Sequence, residues 1–164
     1  MNDLFAKISS YDLFNNLIPG AVFLFFLSAA GIYDLNVQSI VGHLVIYYFV
    51  GLVISRVGSI LIEPLLKLSG MVKYDRYEDF IDASSKDSKI LTLLESSNLY
   101  RTILALMLVC VIALSWGKVT SYLPFSPRVW GIILCVSVAG LFLLSYRKQN
   151  AFIRKRVNHQ KNAS

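Results

Sequence analysis

The chain has 164 residues, of which 55% are hydrophobic and only 16% are charged, and its mean hydropathy is +0.58. Soluble domains carry about 25% charged residues, so this chain has too few polar side chains to cover a water-soluble fold or to stay disordered. The composition therefore predicts a protein whose solvent is a lipid bilayer.

Four long segments without charged residues follow one another, and each predicts a membrane-spanning helix. The predicted spans are about 14–33, 37–56, 102–117 and 129–146. The third segment holds only 16 uncharged residues, so Arg101 and Lys118 at its ends must reach towards the headgroups, or the bilayer must thin locally. We expect an all-α polytopic membrane protein, a single domain over residues 1–164 with four transmembrane helices.

Residues 57–100 are predicted to form a helical cytoplasmic collar. Apolar residues at helical spacing continue the second span to about Leu68, and residues 69–70 end it because glycine accepts the left-handed conformation that stops helices. A short helix is predicted over 75–83, ended by the serine pair that follows. A longer helix is predicted from about Ser88 into the third span.

The positions of the charges predict the orientation. Of the 16 Lys and Arg residues, 14 fall before the first span, between the second and third spans, or after the fourth span, including a basic tail over 147–164. The other two, Lys118 and Arg128, lie between the third and fourth spans. Lys and Arg accumulate on the cytoplasmic side, so we expect both termini to be cytoplasmic. The net charge of +6 then reflects orientation, and nucleic acid is not an expected partner.

Arg56 closes the second span and admits two interpretations. On an uninterrupted helix Arg56 and Glu63 lie within about 20° of each other. Repeated around a ring of subunits, the two side chains would line a pore or an intersubunit contact. Alternatively, Arg56 marks the end of the span, and its guanidinium reaches the inner headgroups.

Small residues recur along the same helix at positions that favour close helix packing. In membranes, small residues let helix backbones approach where no hydrophobic effect drives them together. The residues are Gly51, Ser55, Gly58 and Ser59. Their spacing leaves open whether the partner helix belongs to the same chain or to another copy.

The segment after the fourth span is strongly basic. Such a cluster attracts anionic lipid headgroups at about 1 kcal/mol per cation, or it contacts an acidic partner. The candidate contact residues are Arg147, Lys148, Arg154, Lys155 and Arg156. Arg154 and His159 also have the spacing of the arginine–histidine pair of HEPN ribonucleases, which makes a membrane-tethered ribonuclease a remote alternative.

Sequence motifs for catalysis are absent. No Gly-rich phosphate loop, His-Glu-x-x-His or Gly-x-Ser-x-Gly pattern occurs. Four carboxylates on the short collar helix predict a solvated face and not a metal site; they are Asp75, Glu78, Asp79 and Asp82. We therefore expect no enzyme, no cofactor and no bound metal.

Two stretches resemble a known group of proteins. The first is Tyr-Asp-Leu-Phe-Asn-Asn-Leu-Ile-Pro-Gly over 11–20, directly before an apolar span. The second is Gly-Leu-Val-Ile-Ser-Arg over 51–56, which runs into Glu-Pro-Leu-Leu over 63–66. In these features the chain resembles small membrane proteins of bacterial anti-phage loci, including accessory membrane proteins of type VI-B RNA-targeting CRISPR systems. The resemblance implies an oligomeric effector that perturbs the bacterial inner membrane when a cytoplasmic partner detects infection.

The sequence therefore favours two functions. One is a homo-oligomeric, channel-like effector of the inner membrane that receives its signal through the cytoplasmic collar. The other is a non-conducting anchor or scaffold that recruits a cytoplasmic partner. The lipid bilayer with its anionic headgroups is an expected partner of either.

Overall fold

The computed structural model describes residues 10–163, and side chains are described for residues 13–161. Seven α-helices and one π-helical turn make up this part of the chain, which contains no strand. In chain order they are α1 (Ser10–Ala29), α2 (Ile40–Val57), the π turn (Gly58–Ile62), α3 (Glu63–Leu68), α4 (Tyr77–Lys86), α5 (Lys89–Leu114), α6 (Trp116–Tyr122) and α7 (Pro127–Ala163). The prediction of an all-helical chain is confirmed.

Three helical segments are long and apolar enough to cross a membrane. They are Ile40–Leu68, Lys89–Leu114 and Pro127–Lys161, and they overlap most of the second, third and fourth predicted spans. The first predicted span overlaps the shorter apolar helix Leu13–Ala29, so its crossing of the membrane stays a prediction. The length and composition of the helices therefore support a membrane protein with three long apolar helices.

The first and third spans end earlier than predicted. After Ala29 the chain turns at Gly31, whose φ is +64°, and the Ile32 N–H donates back to the Leu27 carbonyl oxygen at 2.9 Å. This is the bond pattern of a glycine helix stop. Helix α5 ends at Leu114, where the Ser115 hydroxyl donates to the Val111 carbonyl oxygen. Because α5 begins at Lys89, it is long enough to span although its uncharged part is short.

Helices α1, α2 and α5 form the packed centre of the molecule. The crossing of α1 and α2 is very close: a Cβ added at Gly20 would lie 1.8 Å from the Tyr47 carbonyl oxygen, and one at Gly51 would lie 1.6 Å from the Asn16 carbonyl oxygen. Only glycine fits at these two positions. The buried apolar residues of this centre are Ile54, Ala105, Leu106 and Cys110.

Helix α7 lies against this centre with little burial. None of its most apolar window is buried, and one of its contacts with α2 is the stacking of Phe142 on Phe49 at 6.5 Å between ring centroids. An apolar helix left this open is stable in lipid, where tails solvate its side chains, and not in water. The described fold is thus a three-helix centre with α7 attached at its side.

The π turn lies inside the otherwise continuous helix Ile40–Leu68. The Glu63 N–H donates to the carbonyl oxygen of Gly58, five residues earlier, which defines the wider turn. Pro64 follows directly, and a proline cannot donate an N–H and crowds the preceding turn of an α-helix. The wider turn accommodates the proline without ending the helix, which continues to Leu68 as predicted.

The collar and the basic segment pack against each other. The Tyr77 ring of α4 lies 5.3 Å from the Phe152 ring of α7. Helix α4 covers Tyr77–Lys86, so the predicted bounds of 75–83 are wrong. The hydroxyls of Ser84 and Ser85 donate to carbonyl oxygens three residues back, and the two serines therefore continue the helix. The basic residues continue α7 and do not form a separate tail.

Candidate functional site

Glu63 is the centre of a buried ion-pair cluster that joins three helical segments. Its Oε2 accepts from Arg101 Nη1 of α5 at 2.7 Å and from Lys148 Nζ of α7 at 2.9 Å, and its Oε1 accepts from Lys67 Nζ of α3 at 2.9 Å. We call these four residues the Glu63 cluster. It joins the start of α3 to the middle of α5 and of α7.

The members of the cluster differ in burial. The Glu63 side chain is 8% exposed, whereas Arg101, Lys148 and Lys67 are 20%, 28% and 45% exposed. Lys148 also donates to the carbonyl and hydroxyl oxygens of Ser59 at 2.9 Å. The Arg101 Nε is buried and has no acceptor. A carboxylate this buried is stable only because several charged donors surround it.

The cluster lies where the apolar runs of the helices end. Arg101 directly precedes the uncharged residues 102–117, and Lys148 follows Arg147 at the end of the uncharged residues 129–146. Both cations come from segments that the charge distribution predicts to be cytoplasmic. Their meeting at one carboxylate agrees with this sidedness, since the uncharged runs of α5 and α7 both stop at this level.

A polar node lies next to the cluster, among α1, α2 and α5. Asn15 Nδ2 lies 3.5 Å from Ser55 Oγ, and Thr102 Oγ1 lies 3.3 Å from Asn15 Oδ1 and 2.9 Å from the Asn98 carbonyl oxygen. Asn15, Ser55 and Thr102 are 7%, 7% and 0% exposed. Hydrogen bonds of this kind hold helices together in membranes. The node therefore fixes the start of α1 against the other two helices.

The small residues of the second span face three different helices of the same chain. Gly51 meets α1 at Asn16, and Ser55 bonds Asn15 of the same helix. A Cβ at Gly58 would lie 3.2 Å from the Arg101 carbonyl oxygen of α5, and Ser59 binds Lys148 of α7. The four residues thus form close contacts within one chain and not a single stripe.

The helix between Arg56 and Glu63 is not the uninterrupted α-helix on which their alignment was predicted, and their role at a pore or an intersubunit contact stays a prediction. A π turn holds about one residue more than an α turn, and one residue turns a helix by about 100°. The π turn therefore rotates Glu63 away from the face of Arg56 and onto the face that meets α5 and α7. Arg56 is partly buried and forms no ion pair with a described residue. Its position still fits the inner boundary of the second span.

The other basic residues of the segment after the fourth span remain on the surface. Arg147, Arg154, Lys155 and Arg156 are exposed, so they are free to face headgroups, unlike Lys148. Arg154 and His159 are five residues apart on α7, which separates them by about 140°. The His159 ring nitrogen Nε2 lies 2.9 Å from Asp82 Oδ1. One chain therefore does not bring the arginine–histidine pair together.

Two of the four carboxylates around the short collar helix, Asp79 and Asp82, are engaged in surface pairs. Arg76 donates to both carboxylate oxygens of Asp79 at 2.9 and 3.0 Å, and these bonds hold the pKa of Asp79 below its usual range. Asp82 meets His159. Among the residues that the structure describes, no group of acidic, histidine or cysteine side chains is placed to hold a metal ion.

Aromatic residues gather at the end opposite the Glu63 cluster. Trp130 of α7 lies 4.7 Å from Trp116 and 5.5 Å from Phe125 between ring centroids. An apolar groove of 390 Å³ lies beside Trp116 and Trp130. Tryptophan is typical of the membrane–water interface, so this end fits the outer boundary of the bilayer.

Several of these contacts have no counterpart in the sequence pattern. The roles of Lys67, Asn15, Thr102 and Gly20 were not predicted, and Arg101 was expected only to reach the headgroups. The adjacent Asn15 and Asn16 before an apolar run were a usable signal, because amides at the start of a span need partners.

No family model, curated protein or solved structure matches the chain. The resemblance to membrane proteins of anti-phage loci therefore stays a prediction.

Proposed function

We propose that the chain is a homo-oligomeric effector of the bacterial inner membrane that changes membrane permeability in anti-phage defence when a cytoplasmic partner acts on its collar. The observation that carries the proposal is apolar surface beyond the Glu63 cluster, on the predicted cytoplasmic side. Leu65, Leu68 and Met71 are 60%, 85% and 78% exposed there. Contiguous apolar surface in water marks a protein contact.

A second copy of the chain is the proposed occupant of this surface. Leu91 and Leu94, near the start of α5, are also exposed, at 48% and 40%, so the collar offers apolar residues from two helical segments. A symmetric assembly would cover the same patch on every subunit. In such an assembly Arg56, and not Glu63, is the charged residue left for a subunit contact or a conducting path.

The test combines assembly with permeability in cells. Leu68→Glu should reduce the mass of the detergent-extracted particle to that of one chain and abolish depolarisation, measured with a potential-sensitive dye after expression. Thr92→Glu places the same charge at an exposed polar position of α5 and should change neither result. A wild-type particle with the mass of one chain, or assembly without any depolarisation, would contradict the proposal.

A non-conducting scaffold is the second candidate, and one observation favours it. Glu63 is fully engaged by three cations within one chain, which removes one of the two charged residues expected to line a pore. A scaffold predicts that Arg56→Ala is silent in cells. It also predicts that changing Arg154, Lys155 and Arg156 together to glutamine abolishes recruitment of the cytoplasmic partner, whereas the effector proposal predicts that Arg56→Ala alters depolarisation.

A further inference from the structure

The Glu63 cluster carries more positive than negative charge. Three cationic nitrogens lie 2.7–2.9 Å from the oxygens of a single carboxylate, which gives the cluster a formal charge of +2. No second carboxylate of the described residues pairs with Lys67, Arg101 or Lys148. Like charges this close repel one another strongly where water is partly excluded. The cluster is therefore electrostatically suited to a further anion.

Two of the three cations retain unused donors. Arg101 uses Nη1 for Glu63, and its buried Nε has no acceptor. Lys67 gives one bond to Glu63, lies 4.1 Å from the centre of the Tyr74 ring and is 45% exposed. Lys148, by contrast, already has three acceptors. A guanidinium beside an ammonium matches the several oxygens of a phosphate group.

The level of the cluster in the bilayer indicates where such a phosphate would come from. The uncharged run of α5 begins directly after Arg101, and that of α7 ends directly before Arg147. The cluster therefore lies at the depth of the headgroups on the predicted cytoplasmic side. Basic pockets between transmembrane helices on that side bind anionic lipid headgroups.

We propose that the Glu63 cluster binds the phosphate of an anionic lipid headgroup, with Arg101 and Lys67 as the contacting cations. Lys148, held by Ser59 and Glu63, adds positive charge without contacting the phosphate. The inference requires the membrane placement of α2, α5 and α7 and is independent of the proposed effector activity.

The experiment measures the thermal unfolding of the full chain in a neutral maltoside detergent. Phosphatidylglycerol is added over a range of concentrations, with phosphatidylcholine and inorganic phosphate in parallel. Phosphatidylglycerol should raise the unfolding midpoint in a saturable manner, because a ligand that binds the folded state stabilises it, and phosphatidylcholine should not. An equal effect of inorganic phosphate would support the phosphate site and assign its source to the free ion.

Variants locate the site. Lys67→Gln and Arg101→Gln should each weaken phosphatidylglycerol binding about fivefold, the ratio that about 1 kcal/mol per cation implies. Lys86→Gln removes a cation from an exposed position of α4 and should leave binding unchanged. Because Lys67 is half-exposed, Lys67→Gln is the deciding variant if Arg101→Gln does not fold. Wild-type binding in Lys67→Gln, or an equal loss in Lys86→Gln, would overturn the proposal.

Discussion

Replacing Glu63 by glutamine should destabilise the protein by about 3 kcal/mol. The Arg101 and Lys148 bonds, at 2.7 and 2.9 Å, are charge-assisted, and such bonds contribute about 1.5–3 kcal/mol each. The Lys67 pair, on neighbouring turns and half-exposed, contributes about 0.3–0.5 kcal/mol. Losing one partner of a buried ion pair costs about 3–5 kcal/mol. The three cations are 20–45% exposed and regain water in part, so the expected loss lies at the low end.

The assay is the unfolding of detergent-solubilised protein by sodium dodecyl sulfate, followed by far-ultraviolet circular dichroism. Glu78→Gln, the same change at an exposed position of α4, is the matched control and should stay within about 0.5 kcal/mol of the wild type. Lys148→Met should cost clearly less in the Glu63→Gln background than alone, since the two changes remove the same contact. Equal stability of Glu63→Gln and Glu78→Gln, or strict additivity of the pair, would refute the assignment of Glu63 as the residue that joins the helices.

Three further changes probe the rest of the fold. Gly51→Ala should lower the free energy of unfolding by about 1–3 kcal/mol, because the added Cβ would lie 1.6 Å from the Asn16 carbonyl oxygen. The control Gly140→Ala, where an added Cβ has no neighbour within 4 Å, should leave stability unchanged or raise it. Thr102→Val should lower the free energy of unfolding by about 0.6–1.7 kcal/mol in the same assay, because it removes the hydroxyl that lies beside Asn15. Thr92→Val, at an exposed position of α5, should leave the free energy of unfolding unchanged. Phe152→Ala should speed amide hydrogen exchange in α4, because it removes the ring that packs against Tyr77. Ile153→Ala changes the next residue, whose side chain is 53% exposed, and should leave exchange in α4 unchanged. Equal exchange in both variants would contradict the packing of α4 against α7.

The features that the sequence predicts well are local ones. The continuation of the second span to Leu68, its stop at Gly70 with φ +73°, and the long helix that begins near Ser88 depend on spacing and on one residue type. The helix stop at Gly31 is equally local, but it lies in an uncharged run whose hydropathy alone predicted a longer span. Length and charge therefore located the helices, and backbone conformation decided where they end.

The candidate site was not predictable, for two physical reasons. Glu63 meets Arg101 and Lys148 at sequence separations of 38 and 85 residues, and no periodicity within one helix reports such contacts. The wheel that aligned Glu63 with Arg56 also assumed a uniform α-helix, which the π turn at Gly58–Ile62 interrupts. Pro64 was the available signal, since a proline inside a long helix forces some local adjustment. The kind of adjustment depends on the neighbouring helices.

The π turn also has a consequence for how the gene can change. It holds one residue more than an α turn, so deleting a single residue within 58–62 would restore a regular α-helix and leave Glu63 near its present angular position. Straightening the helix without a deletion would instead turn Glu63 by about 100° relative to α2, away from Arg101 and Lys148. A homologue without the π turn that keeps a carboxylate at the position of Glu63 should therefore be one residue shorter in this segment, because a buried charge without its partners would be selected against.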